Sequence, residues 1–131
     1  MVSSRWRVSP ILGVTKVRQA AEYYRDVLGF DLDPNDGVFQ PPGSADGVYA
    51  IVKRSDVWVH FQIRRSESPT TQRSPIERDV YVYVQDLSAL HQELLNRGAK
   101  VLVAPQPTPY GLLEMVVEDL NGYRIVFGEA Q

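Results

Sequence analysis

The chain has 131 residues, of which 44% are hydrophobic and 23% charged, a composition typical of one compact domain. Lys and Arg (14) nearly balance Asp and Glu (16), so the net charge of −2 provides no positive field for nucleic acid or an anionic membrane surface. Cysteine is absent, which excludes disulfides, thiolate metal sites and a cysteine nucleophile. No run of roughly 18 to 20 apolar residues predicts a membrane helix, and residues 1–10 are too polar for a signal peptide, so we expect a cytoplasmic protein.

Two stretches have apolar residues at the spacing of an amphipathic helix. The first predicts a helix over residues 17–28, with Thr15 as a possible N-cap. The second predicts a helix over residues 87–97, with Asp86 as N-cap. A glycine suited to the left-handed position just beyond a helix end follows each of them: Gly29 and Gly98.

Runs enriched in β-branched and aromatic residues predict seven strands. The dipeptide Asn121-Gly122 lies between the last two runs and predicts a two-residue hairpin. The predicted strands cover residues 8–14, 48–54, 57–63, 79–84, 100–103, 112–118 and 123–128.

The order of predicted elements repeats on either side of a polar central segment that contains almost no apolar side chain. A strand ending at Val14 precedes the helix that closes at Gly29, and a strand ending at Val84 precedes the helix that closes at Gly98. We therefore predict an α+β fold of two βαβββ modules with curved mixed sheets, tied by a polar linker. The predicted boundaries are about 5–63 and 79–130 for the modules, 64–78 for the linker and 1–131 for the single domain.

Two motifs lie in opposite halves of the chain. The first consists of Val14, Val17, Ala20, Tyr23-Tyr24-Arg25-Asp26 and Leu28-Gly29-Phe30. The second consists of Tyr110-Gly111-Leu112-Leu113-Glu114, Glu118-Asp119-Leu120-Asn121-Gly122-Tyr123-Arg124 and Phe127-Gly128-Glu129. Together they resemble the vicinal oxygen chelate superfamily of glyoxalases, bleomycin resistance proteins and extradiol dioxygenases, and the second is similar to the bleomycin resistance-like branch. The resemblance implies that each module forms half of a cup, usually completed in a homodimer.

The metal enzymes of that superfamily place ligands on the first and last strands of each module, and counting from the matched motifs gives Ser9, His60, Asp79 and Val126. Valine cannot bind a metal, neutral serine rarely does, and a chain with two histidines cannot supply three of them. We therefore predict no metal cofactor. The alternative is a divalent metal held weakly by His60, Asp79 and perhaps a third ligand, Glu114.

Alternation along the strands predicts which side chains face away from the helices. That face is aromatic and polar, which is typical of a site for a flat or extended, partly polar organic ligand. Two other interpretations stay open: Trp58 and Tyr83 suit a dimer interface equally well, and His60 suits a buried histidine hydrogen-bonded within the sheet. The predicted ligand-binding residues are Trp58, His60, Tyr81, Tyr83, Glu114 and Arg124.

These observations favour a homodimeric, metal-free protein that binds an aromatic or peptide natural product and sequesters it without chemical change, as in antibiotic resistance. Sequestration needs affinity and no acid, base or nucleophile. A metal-dependent lyase, isomerase or dioxygenase is the alternative, and a scaffold or biosynthetic accessory protein is a third hypothesis.

Overall fold

A computed structural model describes residues 5–64, 74 and 76–131. Its elements follow the predicted order and confirm the α+β fold of two βαβββ modules. They are β1 (Ile11–Val14), α1 (Val17–Asp26), β2 (Val38–Phe39), β3 (Tyr49–Arg54), β4 (Val57–Ile63), β5 (Val80–Tyr83), α2 (Leu87–Asn96), β6 (Lys100–Pro107), β7 (Leu112–Glu118) and β8 (Arg124–Ala130).

Each module forms one four-stranded mixed sheet, and the two sheets have the same topology. The first sheet has the order β1-β4-β3-β2 and the second the order β5-β8-β7-β6. In both, the first strand of the module runs parallel to its last strand, and the other neighbours are antiparallel. The repeat in the sequence is therefore a repeat in the fold.

The helix ends test the predicted capping residues. Thr15 was the wrong choice: Lys16 is the N-cap of α1, and its side chain makes no capping hydrogen bond. Asp86 caps α2 as predicted, because its carboxylate accepts a hydrogen bond from the backbone N–H of Ala89. Both predicted glycines lie beyond their helices with positive φ, +75° at Gly29 and +86° at Gly98.

The turn between β7 and β8 is longer than the predicted two-residue hairpin. The last paired residues are Glu118 and Arg124, so five residues connect the strands. Asp119 organises this loop, because its Oδ1 accepts hydrogen bonds from the backbone N–H groups of Asn121 and Tyr123. A side chain that satisfies backbone donors in this way favours a wider turn than the Asn-Gly dipeptide alone predicts.

The same loop joins the two modules. Asp119 is buried, and its Oδ2 accepts a hydrogen bond of 2.6 Å from the hydroxyl of Tyr24 on α1. The hydroxyl of Tyr123 donates to the backbone carbonyl of Gly13 at 2.7 Å. Burial, followed by the charge of Asp119, raises the pKa of Tyr24 well above its usual value, and burial raises the pKa of Asp119.

A second polar contact joins β3 of the first module to α2 of the second. Arg54, at the end of β3, makes a bidentate salt bridge with Glu93 on α2, with N–O distances of 2.7 and 2.8 Å. The same guanidinium donates a hydrogen bond to the backbone carbonyl of Leu28. Between these contacts the helix-side faces of both sheets share one hydrophobic core, which contains Tyr24 and Phe61 from the first module and Leu94 and Met115 from the second.

Several predicted boundaries differ from the structure. β1 begins at Ile11 instead of residue 8, β6 continues to Pro107 instead of stopping at residue 103, and the short strand β2 was not predicted. Most of the predicted linker 64–78 lies outside the described residues. No helix in the described part of the chain is long and apolar enough to cross a membrane.

Candidate functional site

Each sheet has one face covered by helices and one face directed away from the shared core, which we call its open face. On the second sheet, strand pairing places Tyr81 opposite Val126 and places Glu114 opposite Gly128. Val116 belongs to the same face, because it lies two residues after Glu114 and pairs with Val126. The second open face therefore brings a tyrosine, a carboxylate and two valines together, as the alternation predicts.

Gly128 determines how Tyr81 lies on this face. A Cβ atom at Gly128 would overlap the Tyr81 hydroxyl oxygen and lie 2.6 Å from the ring carbon that carries it, so the phenol lies directly over the glycine backbone. From there Tyr81 reaches across β8 and donates a 2.8 Å hydrogen bond to Glu114 Oε2 on β7. Only a residue without a side chain permits this crossing.

A second tyrosine contacts the same carboxylate. The hydroxyl of Tyr110 lies 2.9 Å from both oxygens of Glu114. Tyr110 is held in a tight turn, in which Thr108 exchanges backbone and side-chain hydrogen bonds with Leu112 and Gly111 takes a φ of +84°. Two hydroxyl donors thus converge on Glu114, which no Lys, Arg or His of the described residues contacts.

The carboxylate also changes the acidity of both phenols. Burial and the hydrogen bond to Glu114 raise the pKa of Tyr81 far above its usual value. The hydrogen bond to Glu114 is the main cause of the raised pKa of Tyr110. Both hydroxyls therefore stay protonated at neutral pH and act as hydrogen-bond donors.

These side chains line a cavity of about 450 Å³ on the second open face. That volume falls within the roughly 300–1,000 Å³ typical of small-molecule sites. Arg78 and Asp79, from the segment that leads into β5, contribute to the lining. The other lining side chains are apolar or neutral, among them Ile76, Val103, Gln106, Val116 and Val126.

Arg124 lies on the second open face but does not line the cavity. Its guanidinium donates to the carbonyls of Ser74 and Glu77 and lies 3.4 Å from the carboxylate of Glu118, while its backbone N–H donates to Asp79 Oδ2. Arg124 therefore fixes the segment before β5, and its charge is already paired.

The first open face carries a different set of side chains. His60 on β4 is hydrogen-bonded through Nδ1 to the hydroxyl of Tyr49 on β3, at 2.6 Å. Two cations lie against the Trp58 ring, Arg7 at 4.8 Å and Lys53 at 5.1 Å from its centroid. Within the described part of the chain, Trp58 Nε1 is buried and has no hydrogen-bond partner.

The chain matches the sequence profile of the Glyoxalase/Bleomycin resistance protein/Dioxygenase superfamily over residues 7–127. The chain belongs to this superfamily. No curated protein matches it.

Solved structures of the superfamily type share the fold at low sequence identity. TioX from Micromonospora sp. ML1 is 19% identical with a TM-score of 0.71, covering 97% of this chain and 100% of TioX. A glyoxalase-related enzyme from Clostridium phytofermentans is 15% identical with a TM-score of 0.75, covering 98% of each chain. A putative glyoxalase family protein from Bacillus anthracis is 18% identical with a TM-score of 0.68, covering 100% of each chain.

The residues of the alternative metal set lie in different parts of the fold. His60 is on β4 of the first sheet, Glu114 is on β7 of the second, and Asp79 precedes β5. Asp79 Oδ2 accepts from a backbone N–H, and Val126 has no donor atom. No group of three His, Asp or Glu side chains among the described residues could hold a metal ion.

A larger cavity of about 1,010 Å³ lies at the junction of the modules, lined by Phe30, Val57, Leu90 and Phe127 among others. Four of its five charged side chains have partners among the described residues, Asp56 being the exception: Asp86 accepts a hydrogen bond from the backbone N–H of Ala89. Arg54 pairs with Glu93, and the Glu129 carboxylate accepts from the backbone N–H groups of Asp86 and Leu87. We therefore regard the second open face, where two tyrosines and no cation of the described residues contact Glu114, as the candidate site of this superfamily member.

The structure separates the six predicted site residues into two groups. Trp58 and His60 lie on the first open face, and the other four lie on the second. Tyr81 and Glu114 are hydrogen-bonded to each other and line the cavity. Tyr83 is 75% exposed, and its ring lies against that of Tyr81 in a tilted arrangement with centroids 4.9 Å apart.

Sequence reasoning missed three residues that shape the two open faces: Tyr49, Tyr110 and Gly128. A glycine at a position where alternation places a side chain on the open face is a signal that could have identified Gly128. Tyr110 lies in a turn, where strand alternation makes no prediction.

Proposed function

We propose that the protein binds an aromatic or peptide small molecule on the second open face and sequesters it without chemical change. The observation that carries this proposal is the cavity in which Tyr81 and Tyr110 hold Glu114. Tyrosine rings supply a large, rigid contact area, and a fixed carboxylate orients a ligand.

The chemistry of the site supports binding more than catalysis. Tyr81 and Tyr110 have raised pKa values, so neither phenol is suited to act as a base at neutral pH. The Glu114 carboxylate already accepts hydrogen bonds from both. A carboxylate hydrogen-bonded to two protonated phenols favours recognition over proton transfer.

We further propose that the protein is a homodimer in which a second copy covers the first open face and leaves the cavity of the second accessible. Exposed hydrophobic side chains support this: Phe39 and Ile11 on the first open face are 61% and 58% exposed, and Trp58 belongs to the same face. Aromatic surfaces of this kind are typical of protein interfaces.

Isothermal titration calorimetry with a panel of aromatic and peptide natural products, bleomycin and doxorubicin among them, tests the binding function. We expect saturable binding of at least one compound, recovery of that compound unchanged by mass spectrometry, and weaker binding by Tyr81→Ala. The matched control is Leu120→Ala, an exposed residue in the β7–β8 loop. Conversion of the compound, or equal affinity of Tyr81→Ala and the parent protein, would contradict the proposal.

A further inference from the structure

We infer that the ligand carries a positive charge, an ammonium or amidinium group, which binds between Glu114, Tyr81 and Tyr110. This inference rests on the proposed binding function and adds the charge of the ligand to it. It starts from Glu114, whose hydrogen-bond partners among the described residues are two tyrosine hydroxyls and include no cation.

Two glutamates of β7 on this face differ in their surroundings. Glu118 lies 2.9 Å from the ammonium of Lys100 and 3.4 Å from the guanidinium of Arg124. Glu114, four residues earlier on the same face, contacts only the two tyrosine hydroxyls among the described residues. A carboxylate without a cation in a partly enclosed site is stabilised when a ligand supplies one.

The charges that line the cavity favour the same sign of ligand. Apart from the two tyrosines, the ionisable lining side chains are Arg78, Asp79 and Glu114, one cation against two anions. Asp79 Oδ2 accepts from the backbone N–H of Arg124, and Arg78 donates to the carbonyl of Glu77. Glu114 is thus the lining carboxylate whose hydrogen-bond partners are both neutral side chains.

The tyrosines complete a site for a cation. A carboxylate has about four lone-pair positions, and two hydroxyl donors leave room for a further charged donor. The ring of Tyr81 carries the hydroxyl that donates to Glu114, so an aromatic π face lies near the carboxylate, and such faces attract ammonium groups. Because Gly128 lets Tyr81 lie flat across β8, this arrangement is built into the strand sequence.

Two tricyclic dyes of similar size and opposite charge test the inference by fluorescence anisotropy at neutral pH. The probes are 9-aminoacridine, a cation, and acridine-9-carboxylate, an anion. We expect the protein to bind the cation at least tenfold more tightly than the anion. Glu114→Gln keeps the size of the side chain and an acceptor for the tyrosines, and should reduce this preference to about twofold or less. Glu118→Gln, the matched control on the same strand face, should keep it.

The outcomes separate the inference from the proposed function. If both dyes bind equally and Glu114→Gln changes neither affinity, aromatic binding stands and the inference of a cationic ligand is overturned. Tighter binding of the anion also overturns the inference. If Glu114→Gln changes only the dimer dissociation constant, measured by sedimentation, Glu114 pairs with a second copy and the inference is wrong. Saturable binding of neither dye counts against the proposed function and the inference together.

Discussion

The open faces of the two sheets present different side chains at positions that the shared topology makes equivalent. Where the second face has Gly128 on its last strand, the first has Gln62. Where the second has Tyr81 on its first strand, the first has Ile11, which is aliphatic. A side chain at the equivalent of Gly128 prevents a ring from crossing the sheet, so the first face has no counterpart of the Tyr81 arrangement.

The polar groups differ in the same way. Tyr49 of the first face occupies the position that Glu114 has on the second, and His60 occupies the position of Val126. Tyr49 and His60 hydrogen-bond to each other, whereas Glu114 accepts from tyrosines and has no cationic partner among the described residues. One scaffold thus carries two chemistries, because a few positions of the two open faces hold different residues.

The largest expected effect comes from making the second face resemble the first at Gly128. Gly128→Ala places a Cβ where the Tyr81 ring now lies, so the ring must move and its hydrogen bond to Glu114 must break. We expect an affinity loss of about 100-fold for any compound that the parent protein binds, roughly 2.8 kcal/mol. Calorimetric titration measures it, and thermal unfolding shows whether the fold is retained.

A double variant tests whether the loss acts through Tyr81. In a Tyr81→Ala background the clash is gone, so adding Gly128→Ala should change the affinity by less than about twofold. If Gly128→Ala still weakens binding strongly in that background, the glycine has another role and the comparison of the two faces needs a different explanation.

The two junction contacts also differ, and the buried one should matter more. Tyr24→Phe removes the 2.6 Å hydrogen bond to the buried Asp119 carboxylate, which keeps only its backbone donors. We expect the free energy of unfolding to fall by about 2 kcal/mol. Urea denaturation measures the change, and an effect below about 0.5 kcal/mol would contradict a stabilising role for this contact.

The raised pKa of Tyr24 predicts that the free energy of unfolding depends on pH. Its pKa in the folded protein is well above the model-peptide value of 10.0, which applies to the unfolded chain. Below pH 10 the phenol is protonated in both states; above it, only the unfolded chain loses the proton, so stability falls as pH rises. Tyr24→Phe should show a shallower decline of unfolding free energy above pH 10. Identical slopes for the two proteins would contradict the assignment.

The salt bridge between Arg54 and Glu93 is expected to contribute less to the free energy of unfolding. The side chains of Arg54 and Glu93 are 35% and 34% exposed, so solvent and salt screen their interaction. Glu93→Gln should lower the free energy of unfolding by only about 0.5 kcal/mol, and added salt should reduce the difference. A larger loss than that of Tyr24→Phe would reverse the ranking of the two junction contacts.

The fold could be predicted from the sequence because hydrophobic periodicity, glycine positions and the internal repeat all favoured the same architecture. The width of the β7–β8 turn could not, because it depends on Asp119, whose carboxylate accepts from Tyr24 of the other module as well as from the loop's own backbone N–H groups. Local propensity does not include such distant partners.

The placement of the candidate residues was predicted in part. Strand alternation correctly placed Tyr81 and Glu114 on one face, since alternation is a property of a single strand. It placed Trp58 and His60 in the same cup because it contains no information on how two sheets are oriented. The contact between Tyr81 and Glu114 depends on Gly128, which lies on the strand between them and has no side chain. Alternation along one strand cannot predict a contact that involves three strands.

The most direct test of the difference between the two faces is a ¹H–¹⁵N NMR titration of the protein with 9-aminoacridine. The account predicts the largest amide shift changes at Tyr81, Tyr110 and Glu114, and small changes at Val57 and Leu90 in the junction cavity. Changes concentrated at Val57 and Leu90, with Tyr81 and Glu114 unaffected, would contradict it.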